Sequence, residues 1–154
     1  MLDKSKIGHA FEPFAVEVEK GRLKFFAKAI GETNPIYLDE AAARQAGYRS
    51  LPAPPTFTSV LDQESPQFLP VLALLNIDIA TILHGSQEFE YFQPICAGDT
   101  IQVASRIVDM FDKKGGALEF VVMQSSYTHL NGELAARATS SLVVRNPQES
   151  TQCQ

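Results

Sequence analysis

Apolar residues recur at two different periods along this chain, and the change of period divides it near residue 83. In GRLKFFAKAIG, Leu23, Phe26, Ala27 and Ile30 fall at helical spacing, which predicts an amphipathic helix. Gly31 follows as its C-terminal stop. Pro35 cannot continue a helix and pushes Asn34 into an extended conformation. Asp39 is then a suitable N-cap for the alanine-rich stretch DEAAARQAG, a short helix ending near Gly47. LPAPPTF follows, stiffened by its prolines, and Thr56 is placed to cap a short helix in TFTSVLDQ. Pro66 and Pro70 prevent that helix from running on.

Beyond residue 83 the period becomes two. QEFEYFQ, IQVASRIVDM, ALEFVVMQSSYTHL and ELAARATSSLVVR predict four strands. In the last, Leu134, Ala136, Ala138, Leu142 and Val144 share one face, and Glu133, Arg137, Thr139 and Arg145 share the other. Gly115-Gly116 and Asn131-Gly132 are hairpin signals. The third strand is apolar on both faces from Phe120 to Met123, which predicts a central place in the sheet. FEPFAVEV near the N-terminus supplies a possible edge strand. The fold class expected is α+β, an antiparallel sheet with helices packed on one face.

Composition adds limits. A chain of 154 residues fits one domain with a real core, expected over residues 1–146 and followed by a polar tail, 147–154. Hydrophobic residues make up 45% and charged residues 20%, ordinary values for a globular protein. The net charge of −5 disfavours nucleic acid or an anionic membrane as the main partner. Two cysteines, Cys96 and Cys153, are too few for a disulfide framework and fit a reducing, cytoplasmic setting. No signal peptide is expected, and LPVLALLNIDIATIL is too short and too interrupted to span a bilayer.

His9, His84 and His129 are scattered and have no neighbours at ligand spacing, so no metal or cofactor is expected. There is no phosphate-binding glycine loop and no nucleophile elbow. The best candidate for chemistry is the loop GETNPIYLDE, residues 31–40, where Glu32 and Tyr37 flank an Asn-Pro turn.

GETNPIY resembles the hydratase loop of the MaoC-like (R)-specific enoyl-thioester hydratases and (3R)-hydroxyacyl-thioester dehydratases, whose motif is Gly-Asp-x-Asn-Pro-x-His. APPTF and LHGSQEFEYFQPICAGDTI resemble the substrate-binding, non-catalytic halves of that family, and the likeness runs over roughly residues 5–146. The resemblance implies a hot-dog fold, an antiparallel sheet wrapped around a short central helix, which dimerises into a double hot dog. It also implies that the central helix is cut short to admit an acyl chain, with the apolar stretch from Phe68 to Leu83 beside it. By its composition alone that stretch reads as core or a dimer interface rather than an acyl tunnel.

Carried over by position, the catalytic dyad of the family falls on Glu32 and Tyr37, while Asn34 and Pro35 are kept. In active members two groups of matched proton affinity act on water and substrate together. Glu32 keeps a carboxylate but adds a methylene, and a displacement near 1 Å can cost on the order of 100-fold in rate. Tyr37 is the larger change, since a phenol titrates near about 10 and an imidazole near about 6.5. Pro55, Thr56 and Phe57 fall where the family binds the thioester, with amides at Thr56 and Phe57 as candidate donors. Each residue also has a plainer role open to it: Glu32 as a surface carboxylate, Tyr37 as a packing aromatic, Asn34 as a loop-forming side chain, PPTF as a rigid connection.

Three functions are therefore expected to compete. The chain is the substrate-binding subunit of a (3R)-hydroxyacyl-thioester dehydratase or enoyl-thioester hydratase, paired with a hot-dog subunit that carries Asp and His. Alternatively it is a homodimeric hydratase or thioesterase that uses Glu32. Or it is a non-catalytic module that binds acyl thioesters. All three take an acyl-CoA or acyl-carrier-protein thioester, and all expect a homodimer or heterodimer.

Overall fold

A computed structural model describes residues 1–66 and 69–146. The polar tail and Phe68 lie outside the described residues. The helical first half contains β1 (Phe14–Glu17), α1 (Lys20–Ala29), α2 (Glu40–Gln45), α3 (Thr58–Asp62) and α4 (Pro70–Leu75). The second half contains β2 (Ile82–Tyr91), β3 (Thr100–Lys113), β4 (Leu118–His129) and β5 (Leu134–Arg145). The strands form one sheet in the order β1-β3-β4-β5-β2, and every pair is antiparallel. β4 is central, as its apolar character on both faces predicts, and β1 is an edge, as expected for FEPFAVEV.

The helices cover one face of this sheet. Leu23 of α1, Phe57 and Leu61 at α3, and Val103 and Tyr127 of the sheet share one apolar cluster. Val71 and Leu72 of α4 form a second cluster with Ile107, Met110 and Val121. The central helix is only five residues long, and Pro70 opens α4 at a position where its missing N–H costs nothing. Two short helices thus replace one long one, as Pro66 and Pro70 predict.

Three local expectations change. Thr56 does not cap the central helix: a tight turn, Pro55–Phe57, leads into α3, and its N-cap residue is Phe57 with no side-chain cap bond. β2 begins at Ile82, five residues before Gln87, because Ile82 and Leu83 pair with Val144 and Val143. A register shift between His84 and Ser86 hides this extension from a period-two reading. Gly85 lies in that shift, and a Cβ there would stand 2.4 Å from Ser141 Oγ, so only glycine fits. Finally, β5 is not buried on one face alone. Ala135 and Ala136 both enter the core beside a register shift, and Val143 is buried as well as Val144.

Candidate functional site

The loop at 31–40 is built by its own backbone grammar. α1 ends in a left-handed Gly31, φ 72°. The Gly31 N–H donates to the Lys28 carbonyl at 3.1 Å, and the Glu32 N–H donates to Ala27 at 2.9 Å. This pair of bonds is the glycine-terminated helix stop predicted from sequence. It fixes where Glu32 leaves the helix.

The Glu32 carboxylate then turns onto the loop itself. Its Oε1 accepts from the N–H groups of Thr33 and Asn34, both at 2.8 Å. Asn34 is extended ahead of Pro35, and its Oδ1 accepts from the Ile36 N–H at 3.2 Å. Residues Pro35–Tyr37 form a tight helical turn, closed by the Leu38 N–H on the Pro35 carbonyl at 3.0 Å. Asp39 caps α2 through the Ala41 N–H at 3.1 Å, as expected. α2 ends in a second glycine stop at Gly47, where the Tyr48 N–H donates to Ala43 at 3.0 Å. Glu40 ties the unit together, since its carboxylate meets Lys20 at 2.7 Å, Ser50 Oγ at 3.1 Å and Arg44 at 3.2 Å.

These two stops bring Tyr37 and Tyr48 to the rim of a pocket of about 260 Å³. Its opposite wall is the proline run. The Ala53 N–H donates to Ile95 at 2.7 Å and the Ala97 N–H to Leu51 at 2.9 Å, which pins residues 51–53 along 95–97. Pro52, Pro54, Pro55 and Thr58 line the pocket from that side, and Tyr91, Phe92 and Gln93 close it from the end of β2. The Tyr91 hydroxyl donates to the Pro55 carbonyl and so ties β2 to the turn before α3.

The predicted site residues thus separate into two groups. Tyr37 and Pro55 line the pocket. Glu32 spends Oε1, and Asn34 its Oδ1, on the loop. Phe57 is buried, 1% exposed, and packs edge-on against Phe26 at 5.4 Å between ring centres. Its N–H already donates to Pro54 at 2.9 Å, so the amide at Phe57 is committed. The Thr56 carbonyl accepts from Ser59 Oγ at 2.7 Å. Tyr48, Thr58, Tyr91 and Gln93 were not singled out from sequence. Tyr48 follows a predicted helix-stop glycine and Tyr91 ends a predicted strand, but nothing in the sequence alone brings the two together.

Tyr37 is a neutral phenol in this setting. Burial pushes its hydroxyl above the ordinary value, and the nearby Glu32 and Tyr48 push the same way. It can donate a hydrogen bond, but it does not take up and release protons near neutrality as an imidazole does. Among the described residues, no group of three or more His, Cys, Asp or Glu side chains is placed to hold a metal ion. No described helix is long and apolar enough to cross a membrane. A second, more open depression of about 470 Å³ lies beside Glu17, Lys20 and Gly98 and contains none of the predicted residues.

Known proteins resemble this chain in both sequence and fold. The family model of the FAS1-like dehydratase domain region matches residues 5–138. A UPF0336 protein of Saccharopolyspora erythraea is 34% identical over 149 residues, covering 96% of this chain and 94% of the relative. A UPF0336 protein of Thermobifida fusca is 33% identical over 145 residues, covering 94% of each. Among solved structures, the C-terminally truncated HadBC (3R-hydroxyacyl-ACP dehydratase) complex of Mycobacterium tuberculosis matches with a TM-score of 0.76 at 27% identity, over 90% of this chain and 96% of that one. A MaoC-like dehydratase from Rhodospirillum rubrum matches at 0.71 and 25% identity, over 92% and 94%. The chain therefore belongs to the FAS1-like dehydratase-region family, with the hot-dog fold of the MaoC-like dehydratases.

Proposed function

We propose that this chain is the substrate-binding half of a (3R)-hydroxyacyl-thioester dehydratase or enoyl-thioester hydratase. It takes an acyl-CoA or acyl-carrier-protein thioester, and it pairs with a hot-dog subunit that supplies the Asp and His of the dyad. The observation that carries this reading is the state of the motif loop. The loop keeps its Asn-Pro geometry, yet the Glu32 carboxylate is held by two amides at 2.8 Å and the His position presents the Tyr37 phenol to the pocket. A pocket with neutral, partly apolar walls and no matched acid–base pair suits binding better than proton transfer.

Two further features support a partner. β2 is an edge strand whose residues from Leu83 to Glu88 are exposed, and such an edge invites pairing with another chain. The HadBC structure, similar along most of this chain, is a complex. The same β2 edge would serve a homodimer in the absence of the partner. The homodimeric hydratase or thioesterase reading needs Glu32 free to act, and its two loop hydrogen bonds weigh against that role.

The test of the assembly is the solution mass of the purified chain, alone and mixed with a hot-dog chain that has Asp-x-Asn-Pro-x-His intact. The expected result is a dimer alone and a one-to-one complex on mixing. A stable monomer in both samples would contradict it.

A further inference from the structure

α1 has two unlike faces. On one, Leu23 and Ala27 are buried, and Phe26 packs on Phe57 in the turn that holds Pro55. The other carries Lys24, Phe25 and Lys28, all exposed. These three are neighbours, because residues three and four apart meet on a helix surface. Phe25 is 77% exposed, the most exposed aromatic ring among the described residues. Gly21 and Ala29, four residues before and after it, are too small to shield it.

The charge of this face opposes that of the chain. The protein carries −5 overall, whereas α1 holds Lys20, Arg22, Lys24 and Lys28 and no Asp or Glu. Lys20 pairs with Glu40 at 2.7 Å, and Arg22 with Glu64 at 2.6 Å. Among the described residues, no carboxylate stands within ion-pair distance of Lys24 or Lys28. A lone exposed phenyl ring is ordinary. A ring beside two unpaired cations has the make-up of an interface anchor with its electrostatic guide.

The pocket indicates what docks there. An acyl thioester arrives on a pantetheine arm, whose far end is either the phosphorylated nucleotide of CoA or a carrier protein. CoA calls for Lys or Arg beside its phosphates at the pocket mouth. Among the described residues that line the pocket, none is Lys or Arg. The unpaired cations stand instead on α1, which runs through the Gly31 stop into the loop that sets Tyr37 at the rim. A protein carrier resting on α1 needs no cation in the pocket itself, because only its arm enters. We propose that the face formed by Lys24, Phe25 and Lys28 docks an acidic helix of an acyl-carrier protein, so that the thioester comes on a protein rather than on CoA. The two lysines meet its carboxylates, and Phe25 meets its apolar side chains. A membrane surface fits less well. An interfacial helix needs a broad free apolar face, and α1 has buried Leu23 and Ala27 in the core.

This inference rests on the acyl-thioester reading, and one experiment separates the two. Octanoyl-CoA and an octanoyl-loaded bacterial acyl-carrier protein are titrated into the full chain by calorimetry. Vesicles of phosphatidylglycerol and phosphatidylcholine form a third arm. The expected result is ~10-fold tighter binding of the carrier-borne octanoyl group than of octanoyl-CoA. The double variant Lys24→Glu, Lys28→Glu should abolish that preference and leave octanoyl-CoA affinity within about 2-fold. Lys24→Arg, Lys28→Arg keeps the charge and should keep the preference. Phe25→Ser should weaken only the carrier-borne thioester, by about 5-fold. Circular dichroism verifies the fold of each variant. If both thioesters bind equally, or if the preference survives either the charge reversal or Phe25→Ser, the docking proposal falls while the acyl reading stands. Vesicle binding lost on charge reversal, with no carrier preference, would assign the face to a membrane and overturn the proposal. If neither thioester binds, both fall.

Discussion

Oε1 of Glu32 accepts the Asn34 N–H at 2.8 Å, so this carboxylate braces its own loop. The same oxygen takes the Thr33 N–H at 2.8 Å. This fold-back commits Oε1 of Glu32 to the amides of its own loop. The side chain that remains in the pocket from this loop is Tyr37.

If Glu32 acts as a brace, its shape matters more than its charge. Glu32→Ala removes the acceptor of two amides and should cost about 1 kcal/mol in unfolding free energy, as loss of a capping side chain does. Glu32→Gln keeps an oxygen in place and should cost less than half of that. Urea denaturation of the two variants measures the difference. Equal losses in both would show that charge, not the acceptor, is what the loop needs.

Asp62 predicts a pH dependence of stability. Burial raises its carboxyl above the ordinary carboxylate value of 3.8 in the folded state. The folded protein therefore holds that proton more tightly than the unfolded chain, and the stability gained is full below pH 3.8 and is lost as pH rises through the folded value. Asp62→Asn cannot ionise and still accepts from the Tyr127 hydroxyl, which donates to Asp62 Oδ2 at 2.7 Å. At pH 7 it should melt higher than wild type by roughly 2–4 °C, the shift that about 1 kcal/mol produces in a domain of this size. The advantage should vanish as the pH is lowered toward the ordinary carboxylate range. Thermal melts across that range measure it, and an advantage that grows on acidification would reverse the sign of the argument.

Restoring the family's dyad should restore some chemistry. In the double variant Glu32→Asp, Tyr37→His, the carboxylate is one methylene shorter and an imidazole replaces the phenol. The expected outcome is enoyl-thioester hydration by the chain alone at roughly 100-fold or more above wild type, a typical contribution of a placed acid–base group. Loss of the enoyl absorbance on adding substrate is the readout.

Much of this was legible in the sequence, for local reasons. Gly31 and Asp39 mark the ends of α1 and α2 because helix stops and caps are short-range chemistry. The four long strands show their period, and the Asn-Pro turn defines the loop that carries Tyr37. What was hidden depends on contacts between distant segments. Residues 51–53 pair with 95–97, and only that pairing puts Pro55, Thr58 and Gln93 around one pocket with Tyr37. Ala135 escaped the alternation because a register shift turns it inward beside Ala136. Asp62 carries no local sequence signal of its role. Its meaning depends on Tyr127, which lies 65 residues away.

The central claim is that this chain binds substrate and leaves proton transfer to another subunit. The most direct measurement is the rate of hydration of a trans-2-enoyl-CoA by the purified chain, by a dyad-bearing hot-dog partner, and by the two together. The account predicts a negligible rate for the chain alone and a rate for the mixture well above that of the partner by itself. Hydration by the chain alone at a normal enzymatic rate, abolished by Glu32→Gln, would contradict it.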